Sequence, residues 1–215
     1  MTTKSLAPRM LLALLFLAAL FPLSLVAAGR SAPLQAAVSA CDPIIGDTTW
    51  TAAGVYIANN CAVTVPAGAT LTVEEGATVK FLGGQAVLIV NGNLVAQGTA
   101  AQPITFSSVN DDAHGQAAPG SSGAPAAGNW YGLHFAPGSS GQITHAFIGY
   151  GTANAFQPVV GWNKAHIYVD NAAVTFANLE LAYGGRPGIY LRGSGENVQI
   201  TDSIIRGHFC DPAEG

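Results

Sequence analysis

The 215 residues suffice for one domain beyond a targeting segment, and 49% apolar residues can supply its core. Charged residues make up only 9%, against about 25% in ordinary soluble domains, which argues against amphipathic helices with Lys and Glu outside. From Cys41 onward five basic residues stand against twelve acidic ones, a net charge of −7 that repels phosphate backbones and argues against nucleic acid as a partner.

The N-terminus reads as an export signal over residues 1–28. Lys4 and Arg9 precede an uncharged apolar run, and Val26-Ala27-Ala28 offers small residues for cleavage before Gly29. A later cleavage site, Val38-Ser39-Ala40, would cut before Cys41. The apolar run from Met10 to Ala28 is also long enough for an uncleaved anchor, but Pro22 and the small residues after it favour cleavage. Val38-Ser39-Ala40-Cys41 has the look of a lipidation box, although Arg30 separates it from the apolar run. A secreted or cell-surface protein is expected, with residues 29–44 as a linker.

Next come Cys41 and Cys61, which flank the first segment of the mature chain and form the natural disulfide pair in an oxidising setting. Cys210 is then left to pair between chains, to stay free, or to pair with a partner missing from this sequence. From residue 45 no helical period is sustained. Short alternating runs appear at 62–65, 70–73, 78–81, 87–90, 93–96 and 104–106, each bounded by Gly, Asn, Pro or Ser. A loop at 109–129, rich in Gly, Ala, Pro and Ser, interrupts them. The runs resume at 130–135, 142–148, 166–169, 173–181, 188–192 and 197–206. A sandwich or a barrel would use such strands, but the later ones repeat. Gly188-Ile189-Tyr190-Leu191-Arg192 echoes Gly132-Leu133-His134-Phe135, with His166-Ile167-Tyr168-Val169 between them. The step from Val174 to Val198 has the size of one turn of a solenoid, and the step from Ile167 to Leu191 equals it. The longer step from Ile143 to Val174 requires an insertion near Thr152–Asn163.

One string extends through residues 45–107: Asp47-Thr48-Thr49-Trp50, Val63-Thr64-Val65-Pro66-Ala67-Gly68-Ala69-Thr70-Leu71-Thr72-Val73, Gly76-Ala77-Thr78-Val79-Lys80-Phe81, Leu88-Ile89-Val90-Asn91-Gly92-Asn93-Leu94 and Pro103-Ile104-Thr105-Phe106. It resembles the N-terminal cap and first coils of bacterial secreted and surface proteins with right-handed parallel β-helix repeats, the pectin-lyase-like fold. Asn129-Trp130-Tyr131-Gly132-Leu133 and Ile143-Thr144-His145-Ala146-Phe147-Ile148 are similar to the coils that follow in such proteins. The resemblance implies an all-β, right-handed single-stranded parallel β-helix over 45–207, with an N-terminal cap in 42–60 and a tail at 208–215. It implies little about activity, since the fold hosts lyases, hydrolases, adhesins and inert stalks. After residue 206 no segment looks able to cap the last coil, so self-association or further coils are expected at that end.

No residue announces catalysis. Lyases of this fold align carboxylates and a base on one face, so Asp170, Asp202 and Arg192 are the candidates for such a cluster. Asp111 and Asp112, beside His114 at the head of the 109–129 loop, are the candidates for calcium, unless the loop is a solvated, mobile insertion. No other cofactor is expected. Asp202 falls one turn after Asn178, so the two are expected to stack at a corner. His145 is expected to align with Phe176 and Ile200 in a stack. Arg192 and Arg206 would face an acidic sugar or pair with neighbouring carboxylates. Trp162 and Trp130, with Tyr131, Tyr150 and Tyr183, are the residues that would stack on sugar rings if exposed. A Thr-x-Thr array of the ice-binding kind does not recur. The expected function is a non-enzymatic structural or adhesin-like surface protein contacting carbohydrate. The alternative is a polysaccharide lyase or glycoside hydrolase.

Overall fold

Alternating apolar residues in short runs, broken by residues that tolerate φ > 0, dictate short strands joined by corners. The computed structural model describes residues 36–152, 165–193 and 197–209. All of them belong to one compact unit, Gln35–Gly215. The segment read as an export signal, Trp162, Cys210 and nearly all of the expected 152–163 insertion lie outside the described residues.

The described residues form an all-β structure with two sheets. The smaller contains β4 (Ala62–Val65), β7 (Val87–Val90), β10 (Gly132–Phe135), β12 (Ile167–Asp170) and β14 (Ile189–Arg192). The larger contains β1 (Ala37–Ser39), β2 (Thr48–Trp50), β3 (Val55–Asn59), β5 (Thr70–Val73), β6 (Thr78–Leu82), β8 (Asn93–Gln97) and β9 (Ile104–Ser108). Its later members are β11 (Ser140–Gly149), β13 (Ala173–Ala182), β15 (Val198–Thr201) and β16 (Ile204–Arg206). Every strand pair is parallel, and from β4 onward the chain passes back and forth between the sheets. Val174 pairs with Val198, as their spacing suggested, whereas Ile167 pairs with Ile189 rather than with Leu191. The smaller sheet therefore closes that turn with a slightly shorter step than the larger one. The 109–129 loop lengthens an earlier step, so that Val87 pairs with Gly132.

Like residues stack from turn to turn. One inward column runs Val73, Ala96, Ile143, Phe176, Ile200, and another Val79, Phe106, Ile148, Leu181, Ile205. A third, Val65, Val90, Phe135, Val169, Leu191, comes from the smaller sheet. Gly141 faces the ring of Phe135, where a Cβ would lie 2.5 Å from the ring, so the close packing of Phe135 requires glycine. Phe135 in turn meets Phe176 edge-on at 6.2 Å. Burial ends abruptly at the last turn: Phe176 and Leu181 are fully buried, whereas Ile200 and Ile205 are 42% and 47% exposed.

Several expectations change. Residues 37–39, placed in the linker, are β1, paired with β3. The 42–60 cap contains two strands of the main sheet, β2 and β3. Cleavage before Cys41 would remove β1 and Ala40, which is 2% exposed. Cys41 is disulfide-bonded to Cys61, with a Cα separation of 5.9 Å, so its sulfur is not free to carry a lipid. Ile143, not His145, stacks on Phe176 and Ile200. His145 shares its position with Asn178 and Asp202, and all three adopt a left-handed backbone, with φ of 46°, 52° and 48°. Asn and Asp accept this conformation at lower cost than other side-chain-bearing residues, and each turns the strand through a corner.

Candidate functional site

The head of the 109–129 loop packs onto the outer face of β6. Its anchor is Lys80 on β6, whose side chain points away from the inward residues Val79 and Phe81. The loop covers it completely. Lys80 Nζ donates to the carbonyls of Asp111 at 2.6 Å and His114 at 2.7 Å. Burial lowers its pKa to about 8, against the opposing pull of Asp111 and Asp112.

Asp111 is fully buried, which excludes the reading of this loop head as a solvated insertion. Its Oδ2 accepts from Ser107 Oγ at 2.5 Å, and its Oδ1 accepts from the backbone N–H of Ala113 at 3.0 Å. His114 Nδ1 lies 3.0 Å from Oδ2. Asp112 is exposed, so the two carboxylates do not converge. Among the described residues no group of three or more His, Cys, Asp or Glu is placed to hold a metal ion. Asp111 spends its oxygens on hydrogen bonds inside the protein, whereas Asp112 faces solvent.

The ring of His114 lies flat on Phe147, with centroids 3.5 Å apart and planes at 3°. Together they line a cleft of about 230 Å³ with Thr99, Pro103, His145, Asn178 and Glu180. The corner residues Tyr150 and Tyr183 continue the row just beyond the ends of β11 and β13. They stack on each other at 5.0 Å, and the Arg206 guanidinium lies 4.6 Å above the Tyr183 ring. Arg206 also donates to the Tyr183 hydroxyl at 2.5 Å and forms an ion pair with Glu180. Burial, with Asp111 nearby, raises the pKa of Tyr150. Because the two tyrosine faces are turned toward each other, they offer edges and hydroxyls to a ligand rather than a stacking face.

The residues singled out from sequence separate into different places. Asp170 and Arg192 pair across β12 and β14, Nη1 to Oδ2 at 3.5 Å, and Asn171 donates to the other Asp170 oxygen at 2.7 Å. Asp202 sits at the corner between β15 and β16 on the other sheet, so the three do not assemble into one cluster. Trp130 has no exposed surface: it stacks on Phe81 at 4.0 Å, and its Nε1 donates to the Gly149 carbonyl at 2.7 Å. It is a core residue, not a platform. His166 is also fully buried against Trp130, its Nε2 accepting from the Gly151 N–H at 3.1 Å.

Lys80 and Phe147 were not legible as site residues. The only signal for Lys80 was a lysine at an outward strand position in a region almost without lysine. Comparison of the chain with protein-family models, with curated proteins and with solved structures finds no match.

Proposed function

We propose that this chain is a secreted or cell-surface right-handed parallel β-helix protein of the pectin-lyase-like kind, non-enzymatic and adhesin-like, which contacts carbohydrate through its outer face. Three observations support the fold reading: the wholly parallel pairing, the passage back and forth between two sheets, and the return of the chain at nearly equal steps in the last turns, Ile167 to Ile189 and Val174 to Val198. Parallel crossovers of this kind are right-handed in about 98% of cases. The disulfide suits an oxidising exterior.

The observation that carries the glycan reading is the row His114, Phe147, Tyr150, Tyr183 and Arg206, running beside the cleft. Such a groove, with an apolar floor and a rim of imidazole, amide, carboxylate and hydroxyl groups, offers what a polyhydroxylated ring needs. A lyase or hydrolase reading gains nothing from Asp170, Arg192 and Asp202, which are split between two sheets.

A glycan-array screen of the exported protein, paired with a calcium-dependent polysaccharide degradation assay, tests the proposal. Binding without turnover is expected, weakened at least tenfold by Tyr150→Ala with Tyr183→Ala. Degradation of a uronic-acid polymer, abolished by Asp170→Ala or Asp202→Ala, would overturn it in favour of an enzyme.

A further inference from the structure

The geometry around Asp111 fixes which nitrogen of His114 carries a proton. An ionised carboxylate only accepts hydrogen bonds, and Asp111 already accepts from Ser107, from the backbone N–H of Ala113 at 3.0 Å and from that of His114 at 3.3 Å. The His114 Nδ1 atom, 3.0 Å from one carboxylate oxygen and 3.2 Å from the other, must therefore be the N–H. In the neutral ring this leaves Nε2 as a lone-pair acceptor. No described group donates to it, and the Phe147 ring, flat against the imidazole, holds the ring in place.

The rest of the cleft adds one carboxylate and several groups that both donate and accept. Glu180 receives Arg206 on Oε1 and offers its second oxygen, the Asn178 amide and the Thr99 hydroxyl each donate and accept, and His145 adds a second imidazole. At about 230 Å³ the cleft falls below the usual size of pockets for larger organic ligands, roughly 300–1,000 Å³, and suits one sugar ring. A carboxylate-bearing sugar would set its own charge against the Glu180 oxygen and the His114 lone pair. It would also approach a chain that carries twelve acidic residues and only five basic ones from Cys41 onward.

Building on the glycan reading above, we infer that this cleft is a subsite for one ring of a neutral, hydroxyl-rich glycan, with His114 Nε2 accepting a hydrogen bond from a ring hydroxyl. Asp111 is a positioning residue: it sets the tautomer and does not touch the sugar. The inference selects neutral over uronic-acid polymers, and it names the hydrogen-bonding atom.

The test uses the exported protein labelled with ¹⁵N and four probes: cellohexaose, xylohexaose, mannohexaose and hexagalacturonate. Long-range ¹H–¹⁵N spectra report the His114 nitrogens directly. At least one neutral hexasaccharide should bind and shift the Nε2 resonance, and hexagalacturonate should bind at least tenfold more weakly. His114→Phe keeps a flat ring on Phe147 but lacks the acceptor, and should weaken neutral binding about tenfold. Asp111→Asn should move the proton to Nε2 in the spectra and weaken binding to a similar degree. In the His114→Phe background, Asp111→Asn should cost nothing further. Unchanged affinity in His114→Phe, or tighter binding of hexagalacturonate, would overturn this inference while leaving glycan contact standing. Failure of all four probes would overturn both.

Discussion

Two buried histidines tie the stability of this protein to pH. His166 is fully buried and His134 is 2% exposed. Burial lowers the pKa of His166 to about 3, with His208 adding to the effect, and that of His134 to about 4 despite the opposing pull of Asp170. Both rings are neutral in the folded chain, whereas the unfolded chain protonates them below the ordinary value of 6.5. Between 6.5 and the folded values the unfolded state binds more protons, so stability is full above 6.5 and falls as the pH drops through that window. At pH 5 each histidine should cost about 2 kcal/mol relative to pH 7. Urea midpoints at the two pH values check this. In His134→Gln the difference between pH 7 and pH 5 should shrink by about 2 kcal/mol, whatever the substitution does at pH 7. The position of these rings was partly readable from sequence. The echo of Gly132-Leu133-His134-Phe135 in the later strands put His134 and Tyr168 in register, and the structure pairs them. Their depth of burial was not readable, because an outward strand position says nothing of what covers it.

At the scale of single elements, the strands between 62 and 108 were legible because each alternates cleanly and ends at a turn residue. β1 and β2 before them were not: at three residues each, Ala37-Val38-Ser39 and Thr48-Thr49-Trp50 are too short to show a period. The misplacement of His145 has a specific cause. In β11 the inward residues Ile143 and Ala146 are three apart, because the left-handed corner at His145 breaks the two-residue period. In β13 Asn178 does the same between Phe176 and Leu179. Since both strands carry the corner at the same point, it leaves their register intact, and the slip of two comes from setting Ile143 opposite Val174, a place that Gly141 holds. The 109–129 loop was recognised as an insertion with acids at its head. The inward turn of Asp111 escaped notice because its anchor, Lys80, comes from a strand far earlier in the chain. The first turn carries its own reinforcement. Cys41 and Cys61 close a loop whose release should cost about 3 kcal/mol on the chain-entropy model. The double variant Cys41→Ser, Cys61→Ser should melt at a lower temperature, and hydrogen exchange should rise first in β1 and β3. Equal protection of β1 and β3 with and without the disulfide would count against this assignment.

For the whole stack, the contrast between the interior and the last turn sets what each column contributes. Phe176 and Ile200 occupy the same inward column, one turn apart, but the first is fully buried and the second 42% exposed. Phe176→Ala should therefore cost about 3–5 kcal/mol, the usual penalty for emptying a packed aromatic site. Ile200→Ala should cost about 1 kcal/mol or less, since much of that side chain already meets water. Denaturant midpoints of the two variants in parallel would check the gradient, and equal losses would show that the last turn is packed as tightly as the others.

The same asymmetry bears on how the molecule yields to force. Pulled by its ends, it should come apart like an unspooling thread. Among the described residues, the last turn, with its apolar residues already wet, lets go before any interior one. Each further turn, of the length that separates Val174 from Val198, would then release on the order of 80 Å of slack, at about 3.4 Å per extended residue. At the other end the cross-link between Cys41 and Cys61 shortens the chain that can be drawn out, so that end behaves as a knot in the thread.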